Sequence, residues 1–476
     1  MRRASLSKHA GWLALAIASI GPLLVMACEP EKPAVAPAAA TTSAPPPVAS
    51  ASAGPVIQHA DVSGAAKTSY DRGFAAFQAG DLAAAKQAFT DASHADPRSP
   101  APLYSLGTVL EHMGDVSGAQ VQYKAAIAVK PDDPTAIGAY AMSLANSGHL
   151  TEADSYLSNL AQKNPNSAPI TTFLSEVKSM ENDTGSAQQL AQDALRMNPD
   201  YKPAMIAIAH DHYRAHRLEL SRYALSAVLD GRGDSNPPRD ADNPDAHLIR
   251  ALIEEEDGLR PAAMADFDAA RKVRPDMVEA LIHLGVMKLQ AGNVLEATPL
   301  LESAVKFAPT SALAHLNLAD AYRLGSRIAD AKREFDKALS MDSRHGLAHY
   351  DMALLYLFSP SVPGTTATDQ IATAIHELET YRSMRSPRAG GDDVDELLAR
   401  AQAKQADLNQ KVAPPPDTTP APASGGSAAG AAASAGLKPA ASSAPASSAA
   451  GASGAAASST KPGGLAPWPA SSGAGH

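Results

Sequence analysis

The sequence predicts an all-α solenoid: about nine stacked helix-turn-helix units, finished by a capping helix and flanked by disordered segments. Three observations predict it. Prolines stand at Pro97, Pro131, Pro165 and Pro199, each 34 residues after the last, and the series resumes at Pro275 and Pro309. Small and large residues return to the same places within each period. Alanine is abundant and aromatic residues make up only 5% of the chain, a composition suited to closely packed helices.

The units justify this reading one by one. The interval from Pro199 to Pro275 holds two periods and eight residues more, which places an insertion in the fifth unit, near 231–243. The second unit reads Leu106-Gly107, Leu110, Gly114, Ala119, Tyr123, Ala126 and Pro131. The seventh repeats it with Leu284-Gly285, Gly292, Ala297, Leu301, Ala304 and Pro309. The first supplies Gly73, Gly80, Ala85, Phe89 and Ala92; the eighth supplies Leu318-Ala319, Tyr322, Ala331, Phe335 and Ala338, with Ser343 where proline is due. Units three to six are fainter but in phase: Gly148 and Ala153, Ala187 and Ala194, Ala209 and Ala227, then Gly258, Ala263, Phe267 and Ala270.

Gly or Ala at the eighth position lets the first helix (A) approach the second (B), and Ala at the twentieth does the same from helix B. A large residue at the twenty-fourth fills the space between units, and proline ends helix B. One such unit cannot bury its apolar face, so units must stack. The pattern resembles the tetratricopeptide-repeat (TPR) signature, and the resemblance covers residues 66–411, with the array itself at 66–358. A ninth unit begins at His345–Phe358. Its second helix is displaced by a loop of Ser and Pro, with Asp369 as its cap, and a last helix spans Asp392–Lys411, both within 359–411. That last helix carries acids first and bases last, as the helix dipole prefers, and is expected to cap the solenoid.

Residues 1–28 read as a signal peptide, with Arg2, Arg3 and Lys8 before the apolar run Trp12 to Met26. The run ends in Leu24-Val25-Met26-Ala27-Cys28, similar to the bacterial lipobox, in which the Cys thiol takes lipid. The alternative is an ordinary secretory signal with a chance cysteine. Residues 29–65 read as a disordered Ala/Pro/Ser tether and 412–476 as a disordered Ala/Ser/Gly/Pro tail. In the tail, Trp468 reads as incidental rather than as a docking motif.

Cys28 is the only cysteine, so neither an internal disulfide nor a cysteine-based zinc site can form. Without Arg2, Arg3 and Lys8 the chain keeps 37 basic residues against 50 acidic ones. That balance argues against a sequence-independent nucleic-acid binder.

Nothing in the sequence spells out chemistry. His212 and His216 share a helical face in the run His210-Asp211-His212-Tyr213-Arg214-Ala215-His216, but no third metal ligand stands at usable spacing. The acids Glu254, Glu255, Glu256 and Asp257 fan around a helix and cannot converge. Arg232-Gly233-Asp234 reads as a Gly-rich turn in the insertion. No phosphate loop, dinucleotide motif or nucleophile elbow is present. The expectation is a protein that is not an enzyme and needs no cofactor or metal.

The TPR resemblance implies a ligand along the concave face formed by the A helices. The residues it points to are Tyr70, Phe74, Phe77 and Tyr104 at one end. His210, Tyr213, Arg214, Glu255 and Glu256 follow in the middle, and Tyr350, Leu354, Leu357 and Phe358 at the other end. The same residues would equally serve to seal the stack. The Lys/Asn/Arg clamp by which some TPR domains hold acidic chaperone tails is absent, with Tyr70, Phe74 and Thr108 at matching positions.

The whole resembles envelope-machine TPR lipoproteins, those of type IV pili (pilotin-like) or gliding motility. The functional expectation is a lipid-anchored interaction scaffold or assembly factor of a cell-envelope machine (pilus, secretion or gliding). It would be held through acylated Cys28 to the periplasmic face of the outer membrane, with the inner membrane or the cell surface as alternatives, and bind proteins or peptides of an envelope complex. The alternative is a cell-wall module that binds glycan or positions a peptidoglycan enzyme.

Overall fold

The computed structural model describes residues 56, 57, 60, 62, 64–231, 236–385 and 393–412. Cys28, Arg232-Gly233-Asp234, Trp468 and the expected tail from 413 onward lie outside the described residues. Among the described residues every regular element is helical. After a 3-10 turn at Gly64–Ala66 come α1 (Lys67–Gln78), α2 (Leu82–Ala95), α3 (Pro100–His112), α4 (Val116–Val129), α5 (Pro134–Asn146) and α6 (Leu150–Lys163). Next are α7 (Ala168–Met180), α8 (Thr184–Met197), α9 (Lys202–Arg214), α10 (Leu218–Leu229), α11 (Pro244–Glu256) and α12 (Arg260–Val273). The last are α13 (Val278–Gln290), α14 (Val294–Phe307), α15 (Ala312–Leu324), α16 (Ile328–Met341), α17 (Gly346–Phe358), α18 (Ala367–Met384) and α19 (Val394–Val412). Odd-numbered helices up to α17 are A helices, their even-numbered successors are B helices, and α19 stands alone. None of these helices is long and apolar enough to cross a membrane.

Local chemistry sets the helix ends. Proline occupies the first or second position of α3, α5, α7, α9 and α11, where its missing N–H costs nothing. Asp81, Asp115 and Asp183 cap α2, α4 and α8, each accepting a backbone N–H from the first turn. The turn between A and B requires one left-handed residue. It falls at Gly80, Gly114, Gly148, Asn182, His216, Gly258, Gly292 and Ser326, every 34 residues apart from one interval of 42. The backbone thus places the eight-residue insertion in the fifth unit. Asn182, His216 and Ser326 adopt φ of 63°, 53° and 59° there without glycine's freedom.

The packing register follows the repeat. A Cβ built on Gly107 would stand 2.5 Å from the Tyr123 ring; one on Gly73 would stand 2.8 Å from Phe89, and one on Gly285 2.7 Å from Leu301. In each pair the glycine of helix A makes room for the large residue sixteen positions later on helix B. Two faint units add a hydrogen bond between the eighth and twentieth positions. Ser175 Oγ donates to the Ala187 carbonyl at 2.7 Å, and Ser221 Oγ to the Ala209 carbonyl at 2.7 Å, both buried. In the fifth unit the core positions on helix B belong to Leu225 and Val228, both fully buried, and not to Ala227, which is only partly buried.

Both ends of the array depart from expectation. Val56, Ile57, Ala60 and Val62 were assigned to the tether. Ile57 and Val62 instead bury themselves in the first hydrophobic cluster, as large branched apolar residues beside the array do. The cap of α18 is Thr366, whose Oγ1 accepts the Asp369 backbone N–H at 3.1 Å; Asp369 sits inside the first turn. Helix α19 runs to Val412, and Val394, Leu397, Leu398 and Ala401 bury against the cluster of Leu354, Leu355 and Leu357.

The array winds far enough for its first units to meet the seventh. The Phe77 ring of α1 stands edge-on to Phe307 of α14 with centroids 5.7 Å apart. His112 Nδ1 lies 2.8 Å from the Phe307 carbonyl oxygen, and its Nε2 lies 3.7 Å from Asp276.

Candidate functional site

The A helices enclose a cavity of about 590 Å³ between their N-terminal halves. Its rim is built by Pro100, Pro134, Pro169 and Pro203, the residues that open α3, α5, α7 and α9. One end is closed by the chain itself: Val56 and Ala60 line it, and Tyr104 Oη donates to the Val56 carbonyl at 3.1 Å. Val56 thus presents its carbonyl to a side chain of helix α3. Tyr70, Tyr104, Phe173 and Tyr201 give the cavity aromatic walls. Gly138 admits the Phe173 ring, which any side chain there would meet.

The deep wall is polar. His210 is 2% exposed, and its Nδ1 donates to Glu176 Oε2 at 3.0 Å from the equivalent position one repeat earlier. Its Nε2 is buried with no hydrogen-bond partner. Two other buried histidines are tied off at both ring nitrogens. His247 and His315 each place Nδ1 on a helix-B carboxylate, Asp266 or Glu334, and Nε2 on a loop carbonyl. Asp245 Oδ1 is likewise buried without a hydrogen bond, and Arg274 lies 3.9 Å away. Burial pushes Glu176 up, but His210 and Arg214 outweigh it and hold the carboxyl below its ordinary value. For Asp245 burial wins over Arg274, and the carboxyl is raised.

The structure gathers only part of the set named from the sequence. Tyr70, Tyr104 and His210 line the cavity. Phe74 is half-buried and packs against the first core cluster. Phe77 instead joins the contact with Phe307, where it also meets the His112 ring at 5.3 Å. Tyr213 and Arg214 lie further along α9, and Arg214 has both terminal nitrogens buried without a partner. Glu255 accepts from His283 Nδ1 at 2.7 Å, and Glu256 pairs with His216 at 3.5 Å. Tyr350, Leu354 and Leu357 are buried beneath the last helix; Tyr350 Oη donates to Asp393 at 2.5 Å. Phe358 is 48% exposed, with the Arg400 guanidinium 4.8 Å above its ring. That end is a sealed stack and not part of the cavity.

The shared face of His212 and His216 does not form. Helix α9 stops at Arg214, and His216 takes the left-handed turn position, which turns it off the helix. Among the described residues no group of three or more His, Cys, Asp or Glu is placed to hold a metal ion. The cavity residues missed from sequence were Glu176, Asp245, Tyr201 and Phe173. The 34-residue spacing of Glu176 and His210 was the available signal, since one repeat position faces one side of the array.

Stacked helical pairs with a concave cavity define the class: an all-helical repeat solenoid of the TPR type. TPR family models match residues 76–142 and 256–312. Among solved structures the chain is similar to the APC/C hetero-tetramer Cut9–Hcn1, at 14% identity over 73% of this chain and 79% of that one, TM-score 0.46. It is similar to human IFIT1, solved as a dimer with PPP-AAAA, at 14% identity over 71% and 81%, TM-score 0.39. YrrB, a TPR protein with an unusual peptide-binding site, is similar at 16% identity over 41% and 96%, TM-score 0.31. TPR folds generally mediate protein–protein interactions and are typically non-catalytic.

Proposed function

We propose that this protein is a non-enzymatic interaction scaffold whose concave face binds an extended segment of a partner protein. The observation that carries the reading is the cavity among the A helices, walled by aromatic rings and lined by buried polar atoms without hydrogen-bond partners. Such atoms are costly unless a ligand satisfies them. The lipobox at Cys28 supports a lipid anchor, and the signal peptide supports export. Together they favour the periplasmic face of an outer membrane and service to an envelope machine such as a pilus, a secretion system or a gliding motor.

Site-specific photocrosslinking in the producing cells tests this. A photoreactive residue at Tyr201, inside the cavity, should give a discrete protein adduct. The same residue at Leu295, which is 93% exposed on α14, should not. Equal labelling from both positions contradicts the reading.

A further inference from the structure

Among the described residues three carboxylates, Asp133, Glu176 and Asp245, line the cavity, and no lysine or arginine does. Asp133 is occupied as the cap of α5, accepting the Thr135 N–H at 3.3 Å. Glu176 stands 3.0 Å from His210 Nδ1, and Asp245 lies within electrostatic reach of the same histidine. His210 Nδ1 donates to Glu176, and its Nε2 is buried without a hydrogen-bond partner. Asp245 Oδ1 is an acceptor with no hydrogen bond. The lining among the described residues thus carries two carboxylates that cap no helix and a buried ring nitrogen without a partner, and no basic side chain. The cations nearby are Arg274, which donates to Asp276 at 2.8 Å and faces Asp245 at 3.9 Å, and Arg214, one turn beyond His210 and outside the cavity lining. Phe173 and Tyr201 supply ring faces at the approach, where a cation gains further attraction.

We propose that the cavity recognises a basic side chain, arginine or lysine, of an extended partner peptide. Its charged head would sit among Glu176, His210 Nε2 and Asp245, with its stem along Phe173 and Tyr201. This rests on the concave-face reading above and adds to it the chemistry of the partner. The charge complementarity is the reverse of a basic clamp for acidic tails, and the cavity volume suits one long side chain with its flanking backbone. The carboxylates act as the specificity-determining groups.

The test is selection from a phage-displayed library of random peptides on the full chain, followed by titration of the winning synthetic peptide. The expected result is a fixed Arg or Lys in the selected peptides. Its replacement by Gln should weaken binding at least tenfold in the wild type but much less in Glu176→Gln/Asp245→Asn. That variant should melt like the wild type, which separates lost recognition from lost folding. If it unfolds, the single variant Asp245→Asn carries the comparison. Selected peptides that protect the cavity but lack a basic residue, or carry an acidic one, overturn this inference and leave the concave-face reading standing. Peptides that bind only elsewhere, or no selected peptide at all, overturn both.

Discussion

His112 Nδ1 lies 2.8 Å from the carbonyl oxygen of Phe307, 195 residues later in the chain. This hydrogen bond ties the second unit to the end of the seventh. In a solenoid, where each unit ordinarily touches only its neighbours, such a contact couples distant units.

Breaking it should lower stability. His112→Ala loses the hydrogen bond, the contact with the Phe77 ring and the pairing with Asp276. We expect a cost of about 1–3 kcal/mol in urea unfolding. His94→Ala, at an exposed position on α2, should be near neutral. Equal midpoints for the two variants would remove the coupling role.

The same contact gives a pH signature. Burial alone would raise the Asp276 carboxyl, but the pairing with His112 and the Arg274 guanidinium beside it hold it well below the carboxylate range. A depressed acid contributes stability that is present above about pH 4 and is lost as pH falls through its folded value. Asp276→Asn should therefore be less stable than wild type at pH 7, and the gap should close as pH falls below about 4. A gap independent of pH would mean the carboxylate charge is not what stabilises the contact.

Glu279 should behave in the opposite way. Burial pushes its carboxyl up to about 7, and His283 offsets only part of that. An acid with a raised value costs stability once pH exceeds its unfolded value of about 4.3. Glu279→Gln should gain about 1–2 kcal/mol at pH 8, and the gain should vanish below about pH 4. Thermal melts across that range decide it.

Gly107 tests the repeat register. Gly107→Leu drives a side chain into the Tyr123 ring and should cost about 1–3 kcal/mol or more. Lys130→Gln, at an exposed position after α4, should be within about 0.5 kcal/mol of wild type. Similar melting temperatures would mean the register is misplaced.

Two further changes test the ends. Ending the chain after Val412 should leave melting unchanged. Ending it after Gly391 removes α19, uncovers Leu354 and Leu357, and should promote aggregation. Cys28→Ala should release the protein from the membrane fraction; unchanged attachment would remove the anchor from the account.

Much of the fold was legible because the constraints repeat. Gly107 against Tyr123 and Gly285 against Leu301 solve the same steric problem, so one period displays both. Ser175 and Ser221 blurred two units because each puts a serine, bonded to the facing alanine's carbonyl, where one of the two small apolar residues is due. The cavity was legible only in part. Tyr70, Tyr104 and His210 fell on the expected face, whereas Tyr350 and Leu354 occupy comparable places but are covered by α19. Whether a face stays open depends on what the chain later lays over it, and local periodicity does not carry that information. The burial of Ile57 and Val62 was missed for the same reason.

Hydrogen exchange on the full chain, alone and saturated with its selected peptide, tests the concave-face claim most directly. The account predicts slowed exchange around the cavity, in α5, α7 and α9. Slowing confined to the B helices α6, α8 and α10 would contradict it.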